Sequence, residues 1–331
     1  MDPVLAGLTD RAAKATEESM TSATHTHGMA PAAGRARELL DRNPAGRGER
    51  RFGILFVLPA LALVVLFRIV PLVWGAGYSL TDYNGIDEPA FIGLGNYVAL
   101  AGDPAFRDSL VNTLILLATL PIWIGLPLVL AILIHQGVPG GKLFRAVYFF
   151  PAVLSSVIVG AIFNMVLRYD GSLNAMLGAV GFSPVDWLGN SNTALFALIG
   201  VQLWSTFGMN VLIFLAGLST VPEELVEAAK LDGASTLQTW RHVVVPSMVP
   251  IIEFATVATT IGVLTSMFGL IYVLTAGGPG TSTTLPEYLI WLEQGRMNRP
   301  GYASAISIVL FAVMALLALI QIRIMTKNAD I

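Results

Sequence analysis

A charged insert between two long apolar runs carries the residues with the most specific spacing in this sequence. Within Pro222–Pro250, the triplet Glu227-Ala228-Ala229 is followed after two residues by Asp232-Gly233-Ala234. Carboxylates, small residues and a glycine in this order do not make up a nucleophile, a base and an orienting group, which an active site needs. A rigid charged element on one face of a membrane protein is suited to binding a soluble partner. The pattern therefore indicates docking chemistry.

The sequence has no pattern that favours catalysis or metal binding. The pair Gly141-Lys142 is followed by Leu143 and lacks the upstream glycine of a phosphate-binding loop. The chain has no cysteine, which excludes disulfides and thiolate metal sites, and it contains neither His-Glu-x-x-His nor Gly-x-Ser-x-Gly. His25 and His27 lie in a polar segment and are interpreted as incidental. We expect a chain that is not an enzyme and holds no cofactor or metal.

The composition is that of a protein that crosses a membrane several times. The 331 residues are 55% hydrophobic and 12% charged, whereas soluble domains are about one-quarter charged. Residues 1–50 are polar and are predicted to form a disordered tail, and residues 51–331 are predicted to form an all-α membrane domain. Six runs can each supply the roughly 20 apolar residues of a membrane-spanning helix. These predicted spans are residues 52–73, 110–134, 146–167, 193–218, 250–274 and 302–325.

The distribution of Lys and Arg predicts the orientation of the spans. Arg47, Arg50 and Arg51 directly precede the first span. Lys and Arg accumulate on the cytoplasmic side of membrane proteins, so both termini are predicted to be cytoplasmic. The insert at 222–250 then also faces the cytoplasm.

The insert is predicted to form two short helices joined by a turn. Pro222 suits the first helical position, and Glu223 and Glu227 complement the dipole of the first helix. Gly233 can adopt left-handed backbone geometry at little cost and marks the turn. A second helix is predicted from Thr236 to just before Pro246. The insert would therefore be a rigid elbow.

The same insert resembles the EAA loop of the membrane subunits of bacterial ABC importers, which docks the ATPase in that family. The loop is also called the coupling helix. The positions that carry the resemblance and would contact the ATPase are Glu223, Glu227, Ala228, Ala229, Asp232, Gly233, Ala234, Trp240 and Pro246.

Motifs outside the insert narrow the resemblance to carbohydrate-uptake permeases of the maltose and glycerol-3-phosphate type. They are the segments Tyr78–Gly85, Phe91–Tyr97, Gly171–Gly178, Asp186-Trp187 and Thr275–Thr283. The Gly-Gly-Pro at Gly277–Pro279 resembles the first, larger-type permease subunit. The resemblance implies a six-helix type I importer fold in the bacterial cytoplasmic membrane. It also implies a second permease subunit, a cytoplasmic ATPase dimer and an external solute-binding protein as partners, and a sugar as substrate.

The resemblance also implies a substrate path along the fourth and fifth spans. Carried over by position, this path consists of Gln202, Thr206, Met209, Thr260, Val263, Leu264 and Met267, and Asn210 is added to it as a further polar residue of the fourth span. Polar residues within spans also commonly join helices to one another, which is the alternative for each of them. Two other functions stay open from the sequence: an ABC permease for a non-sugar solute, and an ion-coupled secondary transporter.

Overall fold

The computed structural model describes residues 47–137 and 148–329 of the chain. The predicted tail lies outside these residues except for its last four, 47–50, which belong to the first helix. The pair Gly141-Lys142 also lies outside the described ranges. The chain divides into two compact units, Met1–Ile69 and Val70–Ile331.

The described residues confirm a predominantly helical architecture. The first unit contains α1 (Arg47–Val64) and a π turn at Val65–Ile69. The second unit contains α2 (Val70–Tyr78), β1 (Thr81–Asp82), β2 (Ala90–Phe91), α3 (Gly95–Gly102), α4 (Pro104–Ala118), α5 (Leu120–His135), α6 (Ser156–Leu167), α7 (Ser172–Ala179), α8 (Ser191–Leu218), α9 (Glu223–Leu231), α10 (Thr236–Thr239), a π turn (Trp240–Val244), α11 (Val245–Ser247), α12 (Val249–Thr265), α13 (Phe268–Leu274), α14 (Pro286–Gly295) and α15 (Pro300–Ala329). The two short strands pair in antiparallel register, with Thr81 opposite Phe91.

Four helical segments of the described chain are long and apolar enough to cross a membrane. They are Leu55–Tyr78, Pro104–His135, Ser191–Leu218 and Pro300–Met325. A fifth results if Thr236–Ser247 and Val249–Thr265, which are bent by 67° to each other, are counted together. The described residues therefore contain four or five helical segments that meet the length and composition of a membrane span, fewer than the six predicted spans.

Breaks in two of the predicted spans account for the lower number. The span predicted at 146–167 is interrupted at Leu154 and Ser155, so that α6 has 12 residues and is shorter than a membrane crossing requires. The span predicted at 250–274 consists of α12 and α13, which are separated at Ser266 and Met267. A single apolar run in the sequence does not reveal either break.

Three buried apolar clusters hold the second unit together, and two of them position the cavity and the insert. The first joins α4, α6, α8, α13 and α14 and includes Leu116, Val159 and Ile271. The second joins α5, α8 and α12 to the charged insert through Val244 and Met248. The insert is therefore packed against the helices on either side of it.

Three buried asparagines form hydrogen bonds that hold the loops containing the family-like motifs described above. The Asn96 side-chain amide donates to the carbonyl oxygens of Ser79 and Thr81, both at 2.9 Å. Asn112 on α4 donates to the carbonyls of Thr281 and Thr284, also at 2.9 Å. Asn174 donates to the Val185 carbonyl and accepts a hydrogen bond from the Trp187 indole N–H. These buried amides give each loop a fixed conformation, because a buried polar group is costly unless it is hydrogen-bonded.

Candidate docking elbow and translocation cavity

The first arm of the elbow is α9, which begins at Glu223 with Pro222 as the residue before it. The prediction that Pro222 is itself the first helical residue is therefore displaced by one position, within the usual variation of helix boundaries. Glu223 and Glu224 occupy the first turn and Lys230 the last, so the charges at both ends complement the helix dipole.

Gly233 forms the corner of the elbow in the left-handed conformation that the sequence predicts, with a φ of 81°. Its N–H donates to the Lys230 carbonyl at 3.1 Å, and the Ala234 N–H donates to the Ala229 carbonyl at 3.0 Å. This pair of bonds is the Schellman arrangement, which closes a helix through a left-handed residue. The corner is therefore fixed by backbone geometry.

The second arm begins at Ser235 and extends further than predicted. The Ser235 N–H donates to Gln238 Oε1 at 2.8 Å, and the Gln238 N–H donates to Ser235 Oγ at 3.4 Å, which forms a capping box. The helix continues through the π turn to Ser247, so the predicted end before Pro246 is wrong. The wider π turn directly before Pro246 accommodates a ring that would otherwise clash with the carbonyl four residues earlier.

The elbow is anchored to the helices above it. Val244 and Met248 are buried in the second apolar cluster, and Trp240 packs against the same cluster. The Trp240 ring also meets the His135 ring at the end of α5 edge-on, with 6.4 Å between centroids. The elbow is therefore in direct contact with α5, α8 and α12.

Most of the predicted docking residues lie on the accessible surface of the elbow. Glu223, Glu227, Ala228, Asp232, Gly233 and Pro246 are exposed, whereas Ala229, Ala234 and Trp240 are half-buried. Two further residues were missed from the sequence. Leu231 is 89% exposed and Leu237 is 77% exposed, one on each side of the Gly233 corner. Two large apolar side chains exposed to water at the tip of a rigid corner are typical of an interaction surface. In the sequence, the feature that could have indicated them is the presence of two leucines within a charged insert.

If the elbow docks an ATPase, as its resemblance to the EAA loop implies, replacement of Gly233 with valine should uncouple transport. A Cβ at this position meets no atom within 4 Å, so the effect arises from the positive φ, which costs a branched residue about 1–2 kcal/mol or more. The matched control is Gly233→Asn, because asparagine tolerates left-handed geometry. ATP-driven uptake per assembled complex should fall at least tenfold for valine and less than threefold for asparagine. Equal uptake by the two variants would show that the corner geometry is irrelevant.

A cavity of about 260 Å³ lies between α8 and α12. Gln202, Thr206, Met209 and Asn210 of the predicted path line it from α8. The other lining residues are Trp123, Ala152, Ser205, Ile213, Ala258, Thr259, Gly262, Val263 and Ser266. Its wall therefore combines apolar surface with amide and hydroxyl groups.

The cavity offers hydrogen-bonding capacity that the protein does not use. Gln202 is 4% exposed, and no described group hydrogen-bonds its side-chain amide. Thr206 Oγ1 donates to the Gln202 carbonyl at 2.9 Å, which leaves the hydroxyl oxygen as an acceptor. Asn210 donates to the Trp123 carbonyl and accepts from Thr259, both at 3.2 Å. A ligand with several hydroxyl groups would satisfy this wall, because each hydroxyl both donates and accepts.

Three residues of the predicted path lie away from the cavity. Thr260 donates to the Thr256 carbonyl and accepts from Gln321 on α15 at 3.1 Å. Leu264 lines a separate apolar cavity, and Met267 is fully buried in the first cluster. Val263 of the predicted path does line the cavity, together with Thr259 on α12 and Ser266 just beyond it. Thr260 and Leu264 each follow one of these α12 residues directly and are therefore turned about 100° away from the cavity.

Comparison with known proteins identifies the family to which the chain belongs. Residues 91–328 match the family described as binding-protein-dependent transport system inner membrane component. This chain belongs to that family. The permease is thus an inner membrane component of a transport system and not an enzyme.

Several known proteins are similar to the permease over most of its length. It is 36% identical to the multiple sugar-binding transport system permease protein MsmF of Streptococcus mutans, over 84% of this chain and 97% of that one. It is 35% identical to the arabinooligosaccharides transport system permease protein AraP of Bacillus subtilis, over 82% and 87% of the two chains. A bacterial ABC transporter involved in alginate import has the same fold, with a TM-score of 0.74 at 22% identity over 88% of this chain and 99% of that one.

Proposed function

We propose that this permease carries a saccharide inward across the cytoplasmic membrane, driven by ATP hydrolysis on a separate subunit. The observation that carries the proposal is the connection between the elbow and the cavity. The elbow is the segment that joins α8 to α12, and these two helices form most of the cavity wall. Force applied to the elbow therefore acts on both walls at once.

The chemistry of the cavity and the relatives support a saccharide as the cargo. The unpaired Gln202 amide and the hydroxyls of Thr206 and Ser205 suit a polyhydroxylated ligand, while Trp123 and Met209 supply apolar surface. The relatives MsmF and AraP are named for the transport of sugars. The residues proposed for the path are therefore those at the cavity: Val263 is kept, and Thr259 and Ser266 replace Thr260, Leu264 and Met267.

The proposed mechanism is alternating access. A second permease subunit would complete the passage, an ATPase dimer would dock on the two elbows, and an external binding protein would deliver the saccharide. Reversal of a two-state equilibrium from 1:99 to 99:1 requires about 5.5 kcal/mol, which ATP binding and hydrolysis can supply. The proposed orientation has both termini and the elbow in the cytoplasm, which the positive charge at Arg50 and Arg51 supports.

We expect uptake to require ATP. The complex of both permease subunits, the ATPase and the binding protein would be placed in proteoliposomes and given a panel of radiolabelled mono- and oligosaccharides that includes maltose, trehalose and arabinotriose. At least one saccharide should accumulate with ATP, and accumulation should persist with an ionophore. Failure of every saccharide while an amino acid, phosphate or metal is imported would overturn the proposed cargo. Uptake that is independent of ATP and abolished by the ionophore would overturn the proposed mechanism.

A further inference from the structure

The hydroxyl groups that α8 presents to the cavity have already given their protons to the protein. Ser205 Oγ and Thr206 Oγ1 both donate to the carbonyl oxygen of Gln202, at 2.9 Å each. A hydroxyl group has one proton and two lone pairs. Toward a ligand in the cavity, both groups therefore act as hydrogen-bond acceptors.

The hydroxyl groups on the opposite wall are engaged in the same way. Thr259 Oγ1 donates to the side-chain oxygen of Asn210 at 3.2 Å, and Ser266 Oγ donates to the carbonyl oxygen of Gly262. Both residues line the cavity. The four hydroxyl groups of the wall thus all present acceptor oxygens to a ligand.

Hydrogen-bond donors are fewer on the same wall. The Trp123 indole N–H donates to Thr119, and the Asn210 side-chain amide donates to the Trp123 carbonyl. Gln202 is 4% exposed, and no described group accepts a hydrogen bond from its side-chain amide. Among the side chains of the wall, Gln202 therefore keeps its full donor capacity for a ligand.

The wall also offers no positive charge. No charged side chain of the described residues lines the cavity, and the 28 residues of α8 include no acidic or basic side chain. The helices α5 and α12 contain one such residue each, His135 and Glu253. His135 lies beside Trp240 at the elbow, and Glu253 precedes the lining residue Ala258 by five positions, about 7.5 Å along the helix. An anion at this wall would have no cation beside it within the described chain.

We propose that the cavity selects saccharides that are uncharged where they lie against this wall and rejects those that carry an ionised carboxylate or phosphate there. A sugar hydroxyl donates to the hydroxyl oxygens and accepts from the Gln202 amide, so it satisfies both kinds of group. A carboxylate only accepts, so it would face acceptor lone pairs without the donors and cations that a buried anion requires. The inference rests on the proposed function and narrows its cargo to neutral saccharides, as opposed to uronates and sugar phosphates.

The test compares two derivatives of one saccharide that differ in charge and hardly in size. One hydroxymethyl group of the saccharide from the panel with the highest uptake is converted to a carboxylate in one derivative and to a carboxamide in the other. The position is one at which the binding protein binds both derivatives, established by calorimetry, and each is supplied at a concentration that saturates the binding protein. Uptake then reports the step through the permease. The wild-type complex should import the carboxylate at least about thirtyfold more slowly than the carboxamide, because the buried charge is unpaired.

A cation placed on the wall should reverse this exclusion. Met209 lines the cavity and is 50% exposed, so a lysine at this position can keep its charge. Met209→Lys should raise the ratio of carboxylate to carboxamide uptake at least about tenfold over Met209→Gln, a neutral variant of similar length. The comparison of ratios cancels the preference of the binding protein, which is the same in every complex, and the loss of the methionine, which both variants share. If Met209→Lys does not assemble, Ser266→Lys and Ser266→Gln, at an exposed position of the wall, are compared with the same expected gain.

Two results would overturn the inference. One is a smaller difference than this between the carboxylate and the carboxamide in the wild-type complex, and the other is the absence of the gain in the lysine variant. Absence of uptake for every neutral saccharide in the wild-type complex would instead contradict the proposed function.

Discussion

Complexes that carry Leu231→Asp and Leu237→Asp together should lose ATP-driven uptake while the permease still inserts and pairs with its partner subunit. Both leucines are largely exposed at the corner of the elbow, so the substitutions remove little packing within the chain. A central apolar residue of an interface contributes about 2 kcal/mol or more, and the two together should weaken docking about a thousandfold. A carboxylate buried without a partner adds a further penalty.

Docking is measured as ATPase retained on the immobilised permease pair, in parallel with uptake in proteoliposomes. The matched control is the double variant Leu231→Met and Leu237→Met, which preserves apolar bulk and should retain both activities. Normal uptake by the aspartate variant would contradict the assignment of this corner as the ATPase contact. Loss of uptake with full retention of the ATPase would separate force transmission from binding.

The geometry of the elbow was predictable because short-range interactions determine it. Gly233 has the left-handed φ expected from its position after a helix with charged ends. The capping box at Ser235 involves Gln238, three residues away. Both features depend on neighbours in the sequence, and pattern reasoning captures such features. The exposed leucines were missed because exposure depends on which face of each arm the bundle covers.

The cavity was predictable only in part because its form depends on distant residues. The four path residues predicted on α8 line its wall, since α8 is one continuous helix and its spacing can be read from the sequence. Of the four positions predicted on the fifth span, Val263 lines the cavity, whereas Thr260, Leu264 and Met267 do not. The loop beyond α13 depends on Asn112 from α4, 169 residues before the Thr281 carbonyl that it binds. An apolar run contains no trace of this contact.

Substitution of Gly208 with alanine should prevent the cavity from forming. A Cβ at Gly208 would clash with the Tyr148 carbonyl oxygen and lie 2.9 Å from the Phe149 Cα, so the obstruction is backbone rather than a movable side chain. Residues 148–153 are helical and include Ala152, which lines the cavity opposite α8. A methyl group at Gly208 therefore pushes this wall away from α8. Overpacking of this severity costs about 3 kcal/mol or more.

Gly200→Ala is the matched control, because it lies two turns earlier in the same helix and its Cβ would meet no atom within 4 Å. Alanine in a helix is favoured over glycine by up to about 1 kcal/mol, so this variant should be as stable as the wild type or more so. The measurements are the thermal unfolding midpoint of the purified complex and uptake per assembled complex. Gly208→Ala should lower both, with uptake reduced at least tenfold. Normal uptake by Gly208→Ala together with a lowered unfolding midpoint would contradict this prediction. It would mean that the contact between Gly208 and residues 148–153 stabilises the helix bundle but does not shape the passage.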